Sequence, residues 1–323
     1  MLKIKANNLV NSEEFVREPV DKEINGILNS SSSKIILTGG KGIGKSTVLC
    51  DLEKRGLGCK DQTIYDNPEG VITLAKEPTE MFNSKVFDYL SELRFTNNIL
   101  FYIKRNFPIV FKKCFEKDME SIHSLLDKLF KQLNKAYFED ITIECKYGIK
   151  ELSLDVLNRF RQIMEIDKLN IAIDRFDKMN GSSEYVQNTY AKYFDMFDKV
   201  ILTSDDTGLD SERLFSKGYD LRHISYGNDK DVLREIIRRR KSLYEDNKTY
   251  KELFTTDLFL DKLPKFDGNI DLSLETLACV RDLFSWYNGS DHSVESILDE
   301  AIEEKKEYSK KLERIISKPT LYL

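Results

Sequence analysis

"LTGGKGIGKSTVL", residues Leu37 to Leu49, decides how the rest of the chain is read. Gly39, four further residues, then Gly44, Lys45 and Ser46 match the spacing G-x-x-x-x-G-K-[ST]. Glycines at such positions let the backbone curl until its N–H groups point inward at an anion. Lys45 then reaches the β/γ-phosphates of a nucleotide, and the Ser46 hydroxyl is placed to ligate Mg²⁺. A helix starting near Lys45 adds the positive end of its dipole. The flanks suit this reading. "KIILT" (Lys34 to Thr38) is a short β-branched apolar run, expected as a buried strand, and "KSTVLCDLEKRG" is helix-like and closed by Gly56. Strand, glycine loop and helix follow one another as a phosphate loop requires.

The chain has 323 residues, enough for two domains or one large one. It is 41% hydrophobic and 33% charged, the profile of a soluble globular chain with long exposed helices. No apolar run approaches the roughly 18–20 residues of a membrane span. The opening "MLKIKANNLVNSEEF" has neither a long apolar core nor a cleavage site, so no signal peptide is expected. Five scattered cysteines (Cys50, Cys59, Cys114, Cys145 and Cys279), with no C-x-x-C, read as a reducing cytoplasm without structural zinc. His123, His223 and His292 stand too far apart in sequence to suggest a ligand set. The net charge of −5 gives no global pull toward nucleic acid.

Working outward, Val20, Ile24, Ile27 and Leu28 make an apolar stripe at helical spacing, with Pro19 at the helix start. "GVITLAK" (70–76) and "YFEDITIECK" are strand candidates. Between Pro78 and Asp140 the pattern is helical, interrupted at Pro108, with a clear amphipathic stretch from Ile122 to Leu133. "LDVLNRFRQIMEID" reads as a helix, "LNIAID" as a strand, Tyr185–Phe197 as a helix and "KVILTS" as a strand. Strands alternating with helices imply an α/β fold, a parallel sheet flanked by helices on both faces. Beyond about Ser225 the pattern is helical, a separate subdomain.

Two strand ends carry polar groups. The apolar run "LNIAID" ends in Asp174, whose carboxylate is expected to hold Mg²⁺ directly or through water. Arg175 follows, and Asp177 lies three residues after Asp174, either as the base that orients water or as a turn cap. "KVILTSDD" ends in Thr203 and Ser204, at a position able to sense a γ-phosphate or an attacking water. Two basic stretches remain, "REIIRRRK" (234–241) and "FYIKRNFPIVFKKCF" (101–115). Each reads more simply as packed helix with a solvated basic face than as a nucleic-acid contact.

This order of features resembles an AAA+ P-loop ATPase, more narrowly the branch that holds origin-recognition-complex-like proteins and STAND signalling ATPases. The resemblance spans about residues 15 to 305. It rests on an entry helix, "LTGGKGIGKST", "LNIAIDRFD", "KVILTSDD" and "SERLFSKGYDLRHISYGNDKDVLREIIRRR". That last stretch is similar to the family's passage from core to lid. The resemblance implies a P-loop NTPase core over residues 1–224, with a helical insertion at about 78–140. A helical lid and C-terminal helix would then fill 225–323. It implies ATP and Mg²⁺ as cofactors, with Gly39, Gly40, Lys41, Gly42, Ile43, Gly44, Lys45, Ser46 and Thr47 on the nucleotide. Ser46 and Asp174 would hold the metal, Ser204 would be the sensor at the end of the fourth strand, and Arg213 would be an arginine finger acting on a neighbour's site. Two departures stand out: Arg175 occupies the place of an acid, and His292 and Ser293 stand near where a second-sensor arginine is usual.

The expectation is a cytoplasmic, nucleotide-driven conformational switch with slow ATP hydrolysis. It would work in a protein or DNA assembly, with a protein partner or by self-assembly, and not with a membrane. The alternatives are an origin-recognition-like, DNA-binding initiator or loader and a P-loop small-molecule phosphotransferase.

Overall fold

This computed structural model describes residues 6–66, 72–74, 95–96, 98–118, 120–121, 124, 141–143, 147–148, 154–176, 192–204, 218–240, 243, 248–263, 269–286 and 293–316. In chain order the principal elements are α1 (Arg17–Leu28), β1 (Lys34–Thr38), α2 (Lys45–Gly56), β2 (Asp61–Asp66), α3 (Pro108–Cys114), α4 (Leu154–Met164), β3 (Lys168–Ile173), β4 (Lys199–Thr203), β5 (Asp220–His223), α5 (Lys230–Arg239), α6 (Lys248–Phe254), α7 (Asp257–Lys262), α8 (Ile270–Trp286) and α9 (Val294–Ile316). They fall into two compact units. One holds residues 26–38 and 48–223, the other residues 1–25, 39–47 and 224–323.

The first unit is built on a five-stranded sheet in the order β2-β3-β4-β1-β5, every pairing parallel. Parallel strands need helical crossovers that cover the sheet's faces, which is why its central strands are near-continuous apolar runs. In β1 the residues Ile35, Ile36 and Leu37 are buried, and β3 is buried without a break from Leu169 to Ile173.

The second strand of this sheet is not either early candidate. It is "DQTIYD", paired residue for residue with β3 from Asp61↔Lys168 to Asp66↔Ile173. Gln62 and Thr63 lie fully inside. Tyr102 makes that possible: Gln62 Nε2 donates to its hydroxyl (2.8 Å), which donates to the Thr63 carbonyl (2.9 Å). Buried polar groups are tolerated where they are hydrogen-bonded. Among the described residues, the expected strands at 70–76 and 137–146 contribute Ile72–Leu74 and Ile141–Ile143, which pair antiparallel with each other outside the main sheet. The interruption expected at Pro108 is present: residues 98–106 are helical, the helix stops before Phe107, and Pro108 begins α3, where its fixed φ and missing N–H fit the first turn. The stretch 122–133, apart from residue 124, and residues 185–191 lie outside the described residues; 194–196 form a 3₁₀ turn.

The second unit is helical. Leu233, Ile237, Phe254, Phe259, Leu277 and Leu298 form the centre of its core. Asp229 caps α5, its carboxylate accepting from the N–H groups of Asp231 (2.9 Å) and Val232 (3.2 Å). Of the basic run that closes α5, Arg238 and Arg239 are exposed and Arg240 is buried. Arg239 donates to the Phe15 carbonyl (2.9 Å), and Arg240, buried, pairs with Glu14 at 3.3 Å. In α1, Val20, Ile24 and Ile27 are buried as the stripe predicts, whereas Leu28 is 48% exposed. Among the described residues no helix is long and apolar enough to cross a membrane.

Candidate phosphate loop and acidic strand end

Residues 39–44 form the turn between β1 and α2, and 45–47 open the helix. Gly39, Gly42 and Gly44 have φ of 141°, 79° and 108°, conformations that side chains with a Cβ rarely adopt. Lys45 is 8% exposed and lies inside the curl, its ammonium donating to the Gly39 carbonyl and, at 3.0 Å, to the Gly40 carbonyl. The glycines are also required by their neighbours within the helical unit. A Cβ on Gly44 would overlap the Tyr226 hydroxyl and stand 2.8 Å from its Cζ; one on Gly42 would overlap the Asn269 carboxamide. Asn269 is held there because its Oδ1 caps α8, accepting from Leu272 N–H (2.9 Å), while Ile270 N–H donates to the Gly42 carbonyl (3.2 Å). Burial, with the charge of Glu23 adding to it, pushes the Tyr226 phenol up from its ordinary value.

The helix that reaches the loop is therefore α8, which sequence reasoning did not single out. Its first turn carries Asp271 and no arginine. Of the two residues noted near the usual place of a second-sensor arginine, His292 lies outside the described residues. Ser293 caps α9 instead, its hydroxyl accepting from Ser296 N–H (3.1 Å).

In the sheet unit, Asp174 stands directly after β3 at the end of the sheet from which β1 runs into the loop, and is 2% exposed. Its Oδ1 accepts from the Thr203 hydroxyl (2.7 Å) and its Oδ2 from the Tyr65 hydroxyl (3.1 Å). Thr203 Oγ1 in turn accepts from Arg175 N–H (2.7 Å), which holds Arg175 at a φ of 54°. The strand-end hydroxyl of Thr203 thus meets the acid. Ser204 is buried, and its N–H donates to the Leu37 carbonyl (3.0 Å). The register explains the choice. Ile173 pairs with Leu202, so the next residues along, Asp174 and Thr203, lie side by side. Asp177 and Arg213 lie outside the described residues.

A five-stranded parallel sheet, a glycine loop after its first strand, an acid after its third and a C-terminal helical unit settle the architecture. The chain has an α/β fold of the P-loop type, with a C-terminal helical unit. Its structural neighbours overlap it loosely. Domain III of the Thermotoga maritima replication initiation protein DnaA matches at 11% identity over 90% of this chain and 95% of that one, with a TM-score of 0.41. A single-site variant of Thermotoga maritima RuvB matches at 12% identity over 91% and 69%, with a TM-score of 0.36. AMPPCP-bound DnaA from Aquifex aeolicus matches at 12% over 98% and 93%, with a TM-score of 0.34. No protein-family model matches the chain, and no curated protein matches its sequence.

Each unit by itself carries groups suited to a magnesium nucleotide. In the helical unit the loop holds the buried Lys45 ammonium next to the Ser46 hydroxyl. In the sheet unit Asp174 is a buried carboxylate whose two hydrogen-bond partners among the described residues are neutral hydroxyls.

Proposed function

We propose that this protein is an ATP-binding AAA+/STAND-like conformational switch with slow intrinsic hydrolysis, acting with a protein partner or by self-assembly. The observation that carries the switch reading is the packing of the phosphate loop on C-terminal elements: Tyr226 against Gly44, Asn269 and Ile270 against Gly42. A loop that rearranges around a triphosphate shifts those contacts first, so loading is reported to the helical unit without hydrolysis. Lys45 takes the β/γ-phosphate charge, Ser46 and Asp174 take Mg²⁺, and the metal when bound neutralises charge on the phosphates.

Slow turnover follows from what stands beside the acid. Arg175 follows Asp174, and a guanidinium cannot accept a proton from water. Asp177 is then the nearby candidate base, Thr203 or Ser204 the polar group at the next strand end, and Arg213 the finger that a neighbouring copy would supply. Asp271 at the start of α8 is an acid where a cation would stabilise developing charge. The test is steady-state phosphate release by the isolated protein over a wide concentration range. A partner-independent rate on the order of 1–10 s⁻¹, with no dependence on concentration, defeats the switch reading.

The initiator alternative is favoured by one observation. Lys104, Lys112, Lys113 and Lys117 are exposed around α3, beside Ile109 at 71% exposure. A gel shift on DNA run next to a pulldown with and without ATP separates the two readings.

A further inference from the structure

Asp174 is positioned from both sides of its strand. β2 and β4 flank β3, and each sends one hydroxyl to one carboxylate oxygen: Tyr65 to Oδ2 at 3.1 Å and Thr203 to Oδ1 at 2.7 Å. Tyr65 pairs with Ala172 in the β2–β3 register, two residues short of Asp174, so its hydroxyl reaches along the strand to the acid at its end. A carboxylate oxygen has two lone-pair directions, so one donor on each, counted among the described residues, leaves a second direction on each and fixes the plane of the group. The chemistry of the donors matters as much as their number. A lysine or arginine in the place of Tyr65 would cancel the charge that a divalent cation needs; a phenol orients the group and leaves it anionic.

We propose that Tyr65 is a positioning residue for magnesium: its hydroxyl fixes the Asp174 carboxylate in the orientation that receives the nucleotide's Mg²⁺. The inference rests on the nucleotide-binding reading given above. Hydrogen-bond partners of metal-ligating groups typically contribute ~10–100-fold in metal affinity. Tyr65→Phe deletes one oxygen and keeps the ring, so packing on β2 is preserved. In a titration of Mg²⁺ against a fluorescent ATP analogue, the ratio of affinity with saturating Mg²⁺ to affinity in EDTA should fall about 10-fold in Tyr65→Phe. The Mg²⁺ midpoint should rise by a similar factor. Thr203→Val should act in the same direction, and Asp174→Asn should remove the Mg²⁺ dependence altogether. Urea unfolding of each variant is measured alongside. A Tyr65→Phe protein that unfolds earlier yet keeps its Mg²⁺ midpoint within twofold of wild type overturns the proposal, since the hydroxyl is then merely structural. Wild-type protein that binds the analogue equally well with and without Mg²⁺ also overturns it, while leaving nucleotide binding intact. Wild-type protein that binds no analogue removes the functional reading itself, and the proposal with it.

Discussion

Gly44→Ala is the most informative single change, because its cost divides into two parts with different remedies. The backbone at Gly44 has a φ of 108°, beyond the left-handed helical region that other residues visit, and holding alanine there costs roughly 1–3 kcal/mol. The added methyl also overlaps the Tyr226 hydroxyl and comes within 2.8 Å of its Cζ. Forcing an extra carbon into a packed site costs about another 1–3 kcal/mol. The expected loss for Gly44→Ala is therefore ~2–6 kcal/mol. The two parts respond differently to a second mutation. Tyr226→Ala makes room for the methyl but leaves the backbone strain in place. In the double mutant a coupling of roughly 1–3 kcal/mol should be recovered and the rest should persist. The assay is urea unfolding followed by the fluorescence of Trp286, the chain's one tryptophan, which lies on α8 in the same helical unit as the loop. Calorimetric titration of ATP runs in parallel and should show lost binding in Gly44→Ala. A single mutant within about 0.5 kcal/mol of wild type, the usual range for surface changes, would refute the strained, close-packed loop. A double mutant that recovers nothing would refute the contact with Tyr226.

Lys45→Ala should abolish ATP binding by calorimetry, because removing the ammonium leaves the β/γ-phosphate charge unmatched in the loop. Arg240→Ala should destabilise the helical unit by about 3 kcal/mol in urea, since it breaks a pair whose arginine and glutamate side chains are only 9% and 16% exposed; a loss below about 1 kcal/mol would place the pair among weak surface bridges. Alkaline pH should weaken the fold. Burial, then the charge of Glu53, pushes the Cys50 thiol from 9.0 up to about 12, so the folded chain keeps a proton that the unfolded chain releases. That stability is full below about pH 9 and declines toward pH 12 by ~1.4 kcal/mol per pH unit, and Cys50→Ala should flatten the decline in urea titrations between pH 8 and 10. Arg175→Glu should raise phosphate release above wild type once binding is shown to be intact, and an unchanged rate would show that the missing acid is not what limits turnover.

What the sequence determined by itself was local. The glycine spacing from Gly39 to Ser46, the apolar runs of β1, β3 and β4, and the helix that ends at Gly56 each depend on residues a few positions apart, so their signals survive without the fold. What the tertiary structure decided were the places where a polar residue is buried and its partner lies far along the chain. "DQTIYD" does not read as an interior strand, and becomes one because Tyr102, about 40 residues later, satisfies Gln62 and Thr63. The three arginines after Ile237 look like a solvated basic face, yet Arg240 is drawn inward by Glu14 from the other end of the chain. Ser204 and Thr203 are equally polar in the sequence; only the pairing of Ile173 with Leu202 turns Thr203 toward Asp174. Tyr65 carried no signal at all, because a tyrosine at the end of a strand becomes a carboxylate's partner only when a strand more than 100 residues away is laid beside it.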